Sequence, residues 1–136
     1  MDRELFYRDF EEAFRGPREE IIARLDFYAP FARSLRELPQ IPQAAFDMGC
    51  GRGEWLEALG SWGFTAQGVD LDQGMLSEAR DLGLDVTCAD ALETLSTLPD
   101  NSQAIISAFH LVEHIHKICC SLFWRAQFGR LPQAAF

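Results

Sequence analysis

The sequence predicts an α/β fold, a Rossmann-like open parallel sheet of four short strands preceded by a helical segment. Three observations carry this prediction. Between residues 44 and 109, short apolar runs alternate with amphipathic stretches, which is the rhythm of βαβ units. A glycine-rich turn, FDMGCGRGEW at 46–55, joins the first run to the first amphipathic stretch. Asp47, Gly49 to Gly53, Asp70, Asp90 and His110 all fall at the ends of apolar runs, where open parallel sheets place their ligands.

The elements follow in order. Leu5, Phe6, Phe10, Ala13 and Phe14 recur at helical spacing, so 3–14 is expected to be an amphipathic helix. Gly16-Pro17 ends it and starts a second helix, with Ile21, Ile22, Leu25 and Tyr28 as its apolar face. Pro30 interrupts that helix or opens a third through Leu38, and Pro39 and Pro42 mark a linker. AAFDM (44–48) is the first strand, and 53–62 a helix with Trp55, Leu56 and Leu59 inward. TAQGVDL (65–71) is a strand, 73–82 a helix, DVTCAD (85–90) a strand and 91–97 a short helix. SQAIISAF (102–109) is the most β-like run in the chain and the expected fourth strand. The domain division expected is a helical segment over 1–40, a sheet domain over 41–116 and an atypical tail over 117–136.

Composition narrows the function. With 136 residues, 48% hydrophobic and 24% charged, the chain can build one modest core. A net charge of −9 opposes general binding to nucleic acid. No apolar run is long enough to span a bilayer, and the charged N-terminus does not resemble an export signal. The four cysteines form no C-x-x-C pair, and a cytoplasmic protein with reduced thiols is expected.

The glycine turn is the chemical centre. A dinucleotide fingerprint needs G-x-G-x-x-G, but Gly49 and Gly51 are followed by Glu54 at the third position, with Gly53 one residue early. Glu54 would also bring negative charge toward a diphosphate. A phosphate-binding Walker loop fails because no Gly-Lys-Ser/Thr follows.

The pattern D-x-G-x-G-x-G over 47–53, directly after a strand, resembles motif I of class I S-adenosylmethionine-dependent methyltransferases. This resemblance implies S-adenosylmethionine as cofactor and a Rossmann-like methyltransferase fold. Gly49, Cys50, Gly51 and Gly53 would line the loop, and backbone N–H groups at the helix start would receive the cofactor's carboxylate. Asp47 would face its ammonium, directly or through water, and Asp70 both ribose hydroxyls. Asp90 would contact the adenine amino group and the Ala91 N–H the ring, with Leu71 and Met75 packing on the adenine faces. Capping of the following helices is the plainer role open to Asp72 and Asp90.

HLVEH (110–114) formally matches a zinc-protease motif, but it follows a strand directly and only 22 residues, none acidic, come after it to supply another ligand. No metal is expected. In many members of the family this position borders the methyl-transfer pocket, so His110, Glu113 and His114 are the catalytic candidates, with either imidazole as general base. Capping by Glu113 and packing by His114 stay open beside that role.

YRDFEEAFRGPREEIIARLDFYAPF together with DMGCGRGEWLEAL, GVDLDQGML and SAFHLVEHI is similar to bacterial methyltransferase domains linked to cell-surface polysaccharide (O-antigen) assembly. This implies a small-molecule or glycan acceptor, with Arg15 and Arg18 available to an anionic one. The resemblance ends after Ile115, and residues 117–136 hold no acid and close on PQAAF, a repeat of 42–46. The expectation is a shortened domain whose fourth strand lies at an exposed edge open to self-association. The alternatives are a non-catalytic cofactor-binding or partner-completed domain and, third, a metal-dependent hydrolase built on HLVEH.

Overall fold

The computed structural model describes residues 16–109. The expected helix at 3–14, the HLVEH stretch and the tail lie outside the described residues. Within them the elements run α1 (Arg18–Leu25), a 3-10 turn (Asp26–Tyr28), α2 (Ala29–Arg36), β1 (Ala44–Met48), α3 (Glu54–Ser61), β2 (Thr65–Asp70), α4 (Gln73–Asp81), β3 (Asp85–Cys88), α5 (Ala91–Thr97) and β4 (Ile105–Ser107). The expected α/β fold is present: one parallel four-stranded sheet in the order β3-β2-β1-β4.

β1 is central and buried on both faces, which explains its near-continuous apolar sequence. Side chains alternate across the sheet. Ala45 joins Ala29, Ala32, Trp55, Leu59, Trp62 and Phe64 beneath α2 and α3. Phe46 and Met48 point the other way, to Val69 and Leu95 beneath α5. Asp47 therefore shares the α3 face with Ala45. Gly68 and Asp70 of β2 and Ser107 of β4 lie on that same face by the same alternation, in register with β1.

The helix boundaries have local causes. Asp72 caps α4 through Gly74 and Met75, and Asp90 caps α5 through Leu92 and Glu93. Gly63 and Gly83 take left-handed conformations just after α3 and α4 and let the chain turn back into the next strand. Pro30 sits in the first turn of α2, where its missing N–H costs nothing.

Two expectations are corrected. β4 spans three residues rather than eight, because only Ala45, Phe46 and Asp47 pair with it. The chain before it turns through Asn101, whose φ is 58°, and Gln103 is buried outside the ladder. β3 likewise stops at Cys88, since the Asp70 carbonyl accepts the Ala89 N–H in the last bond to β2 and Asp90 leaves to cap α5. No helix of the described residues is long and apolar enough to cross a membrane.

Candidate functional site

The loop between β1 and α3 folds onto the carboxyl end of β2. Val69 carbonyl oxygen accepts the N–H groups of Gly49 (2.8 Å) and Cys50 (3.0 Å), and Cys50 carbonyl accepts that of Gly53 (3.0 Å). The Gly51 N–H donates to Asp70 Oδ2 at 2.9 Å. Asp70 Oδ1 accepts the Asp72 N–H, also at 2.9 Å. Asp70 thus ties the glycine loop to the start of α4. A carboxylate has about four acceptor positions, so each Asp70 oxygen retains capacity for a ligand hydroxyl.

The N–H groups of Gly49, Cys50, Gly51 and Gly53 are all engaged within the protein, so a ligand carboxylate would turn to the first turn of α3. That helix has no side-chain cap, whereas α4 and α5 are each capped by an aspartate. Its N-terminus is the one left to an outside acceptor among the helices that follow strands.

The glycines divide the work. Gly49 has φ +70° and is exposed, with nothing within 4 Å of where a Cβ would stand. Gly51, at φ +54°, lies beside Met75, whose sulfur would sit 3.5 Å from a Cβ. Gly53 faces inward: a Cβ there would stand 2.5 Å from Leu84 Cδ1. Gly53 is a packing glycine, and Gly49 opens onto the space a ligand would use. The Cys50 side chain is buried with Leu56 and Leu76, so only its backbone borders the loop surface. Burial, with Asp47 and Asp70 nearby, pushes its thiol up to about 12.

Asp47 is 2% exposed. Its Oδ1 accepts the Ser107 hydroxyl at 2.7 Å, and Ser107 Oγ in turn accepts the Trp55 indole N–H at 2.8 Å. Burial raises the Asp47 carboxyl from 3.8 to about 7; the Ser107 hydrogen bond opposes this, and Asp70 and Glu54 add to it. Ser107 and its bond to Trp55 were not among the sequence candidates. Period-two alternation from Ile105 would have placed Ser107 level with Asp47, given the register.

Leu71 is 70% exposed beside Asp70, and Met75 is half-buried at the first turn of α4. Asp90 uses Oδ1 for both capping bonds, which leaves Oδ2 and the Ala91 N–H outside the cap. Glu54 is buried but sits 2.8 Å from Arg52, so its charge is balanced inside the protein. Arg18 is also engaged: its guanidinium meets Glu57 Oε2 at 2.7 Å and donates to the Arg52 carbonyl at 2.8 Å. Through two of its nitrogens it clamps α1 to the helix and loop that follow β1. Tyr28, Trp55 and Phe109 form an edge-to-face aromatic cluster, with Trp55 centroids 5.6 Å from Tyr28 and 5.1 Å from Phe109. Phe109 leads into His110, which with Glu113, His114 and Arg15 lies outside the described residues. Among the described residues no group of three or more His, Cys, Asp or Glu could hold a metal.

A family model described as a methyltransferase domain matches residues 45–125. Among solved structures, the chain is similar to a SAM dependent methyltransferase from Archaeoglobus fulgidus, with 34% identity and a TM-score of 0.73 over 89% of this chain and 53% of that one. It is similar to an S-adenosylmethionine dependent methyltransferase from Mesorhizobium loti, with 24% identity and a TM-score of 0.51 over 76% of this chain and 48% of that one. It is also similar in fold to WbdD, with 24% identity and a TM-score of 0.58 over 74% of this chain and 26% of that one. The chain spans about half the length of the first two. No curated protein matches it in sequence.

Proposed function

The chain belongs to the methyltransferase-domain family, and from that premise we propose that it binds S-adenosylmethionine and transfers its methyl group to a saccharide or phosphosaccharide acceptor. The observation that carries the cofactor reading is the placement of Asp47 and Asp70 on one sheet face, either side of a glycine loop whose Gly49 opens outward. Two carboxylates suit a ligand with an ammonium and a sulfonium, and repel a diphosphate. The bound cofactor would supply an electrophilic methyl group for in-line displacement.

The chain's residues then have separate tasks. Asp47 would hold the ammonium, and Asp70 the ribose hydroxyls with the lone pairs its loop bonds leave free. Asp90 Oδ2 and the Ala91 N–H would meet the adenine edge, with Leu71 and Met75 against its faces. Positioning would supply most of the rate enhancement. His110 or His114 would take the acceptor's proton, beside Glu113. The saccharide class rests on the similarity of the N-terminal segment and on the acidic chain, which disfavours nucleic acid. A cytoplasmic location belongs to the same reading.

A second reading is a cofactor-binding domain whose sheet is completed by another chain. It is favoured by β4, which has one ladder partner among the described residues. Titration calorimetry with S-adenosylmethionine tests the first reading, with Asp70→Ala as the control. Saturable binding that the variant loses supports it, and a folded wild type that does not bind refutes it. Light scattering distinguishes the second reading, which an obligate dimer would favour.

A further inference from the structure

Asp47 is held from behind by a directed chain of hydrogen bonds. The Trp55 indole N–H has no acceptor capacity and one proton to give, and it gives it to Ser107 Oγ at 2.8 Å. The serine hydroxyl, its oxygen engaged, directs its own proton to Asp47 Oδ1 at 2.7 Å. Its other acceptor, the Phe46 carbonyl, is at 3.5 Å. The direction of every bond is therefore fixed, and it ends on a carboxylate oxygen as acceptor. Among the described residues Asp47 Oδ2 carries no such bond.

Trp55 is itself immobilised. Its ring meets Tyr28 from the N-terminal segment, Trp62 at the end of α3 and Phe109 after β4, all edge-to-face. Elements from three parts of the chain thus converge on the orientation of one indole.

We propose that Trp55 and Ser107 are positioning residues for Asp47: Trp55 orients the Ser107 hydroxyl, which pins Oδ1 as a hydrogen-bond acceptor and leaves Oδ2 to the cationic end of the cofactor. This rests on the cofactor reading above. The groups that face Asp47 are Asp70 at the end of β2, Glu54 in α3 with its partner Arg52, and the Cys50 thiol in the loop. The two acids oppose ionisation of Asp47, and the serine bond favours it. Without that bond the carboxyl takes up a proton more readily and presents an O–H where an anion is needed.

The test has two arms on the full chain. In the first, carbon-13 NMR of labelled aspartate follows Asp47 ionisation without any cofactor. Ser107→Ala should raise the midpoint by about one pH unit or more, Trp55→Phe should raise it by less, and Ser107→Thr should restore it. In the second, calorimetry with S-adenosylmethionine from pH 6 to 9 should show the Ser107→Ala defect greatest at pH 6, shrinking as pH rises and smallest at pH 9. A purely structural role would lower affinity equally at every pH. An Asp47 midpoint unchanged in both Ser107→Ala and Trp55→Phe overturns the proposal. Trp55→Phe keeps the aromatic packing and decides the matter alone if Ser107→Ala does not fold. Failure of the wild type to bind the cofactor at any pH, with the NMR midpoints moving as expected, strikes the cofactor reading instead.

Discussion

Asp47→Asn should make the protein more stable at pH 8 while removing cofactor binding. The carboxyl is 2% exposed, and burial raises it from 3.8 to about 7. Between these values the folded chain holds a proton that the unfolded chain has released. Stability therefore falls as pH rises from about 4 to about 7, and the loss is complete above that. At about 1.4 kcal/mol per pH unit, the buried anion costs the fold about 4 kcal/mol at most. Asparagine carries no charge and can still accept the Ser107 hydroxyl through Oδ1. Its amide N–H group has no partner supplied by the fold, which offsets about 1 to 3 kcal/mol. The net gain at pH 8 is then about 1 to 3 kcal/mol. Urea unfolding followed by tryptophan fluorescence, from pH 4.5 to 8.5, measures it. The difference between variant and wild type should grow in the variant's favour up to about pH 7 and then level off. A difference independent of pH would refute the assignment of a strained, buried carboxylate.

Two further outcomes follow from the loop. Gly68→Ala should lower stability by about 1 to 3 kcal/mol, because a Cβ would stand 2.6 Å from Cys50 Cβ and 2.7 Å from Leu56 Cδ1. Gly49→Ala meets no atom within 4 Å, so thermal unfolding should show only the cost of its φ of +70°, about 1 to 2 kcal/mol, while calorimetry shows a disproportionate loss of cofactor affinity. Iodoacetamide at pH 8 should leave Cys50 unmodified, since its thiol is buried and pushed up to about 12, and should label the half-buried Cys88; peptide mass spectrometry reads both sites.

The strands of the first two crossovers were legible because their causes are local. AAFDM is apolar and is ended by glycines, and Asp72 and Asp90 announce the helices they cap. The length of β4 was not legible. SQAIISAF is β-like throughout, but a strand extends only as far as its neighbour pairs, and β1 offers Ala45 to Asp47. Asp47 and Asp70 could be picked out from their motif. Ser107 could not, because its importance arises from the register that sets it beside Asp47 and from an indole distant in sequence. The tie of Arg18 to the loop was not legible for the same reason: Glu57 and the Arg52 carbonyl are brought to it only by folding.

The spacing of the glycines becomes intelligible once their surroundings are known. Gly53 is needed where α3 passes close to Leu84, and it takes a φ of +82° at the helix start. Its place is dictated by packing, so moving it one residue from the dinucleotide fingerprint says little about the ligand. Glu54 is paired with Arg52 inside the protein, and its remaining influence falls on Asp47, whose ionisation it opposes. What distinguishes the ligand is the pair of acids left over. Asp70 has both oxygens engaged by loop amides and still has lone pairs to offer, while Asp47 is kept dry and close to its own ionisation midpoint. A cation arriving beside Asp47 would stabilise its charged form and recover part of the burial cost. A phosphate arriving there would raise that cost. On the proposed cofactor reading the loop would select for positive charge through the state of this carboxyl group, and cofactor affinity should fall as pH drops below about 7.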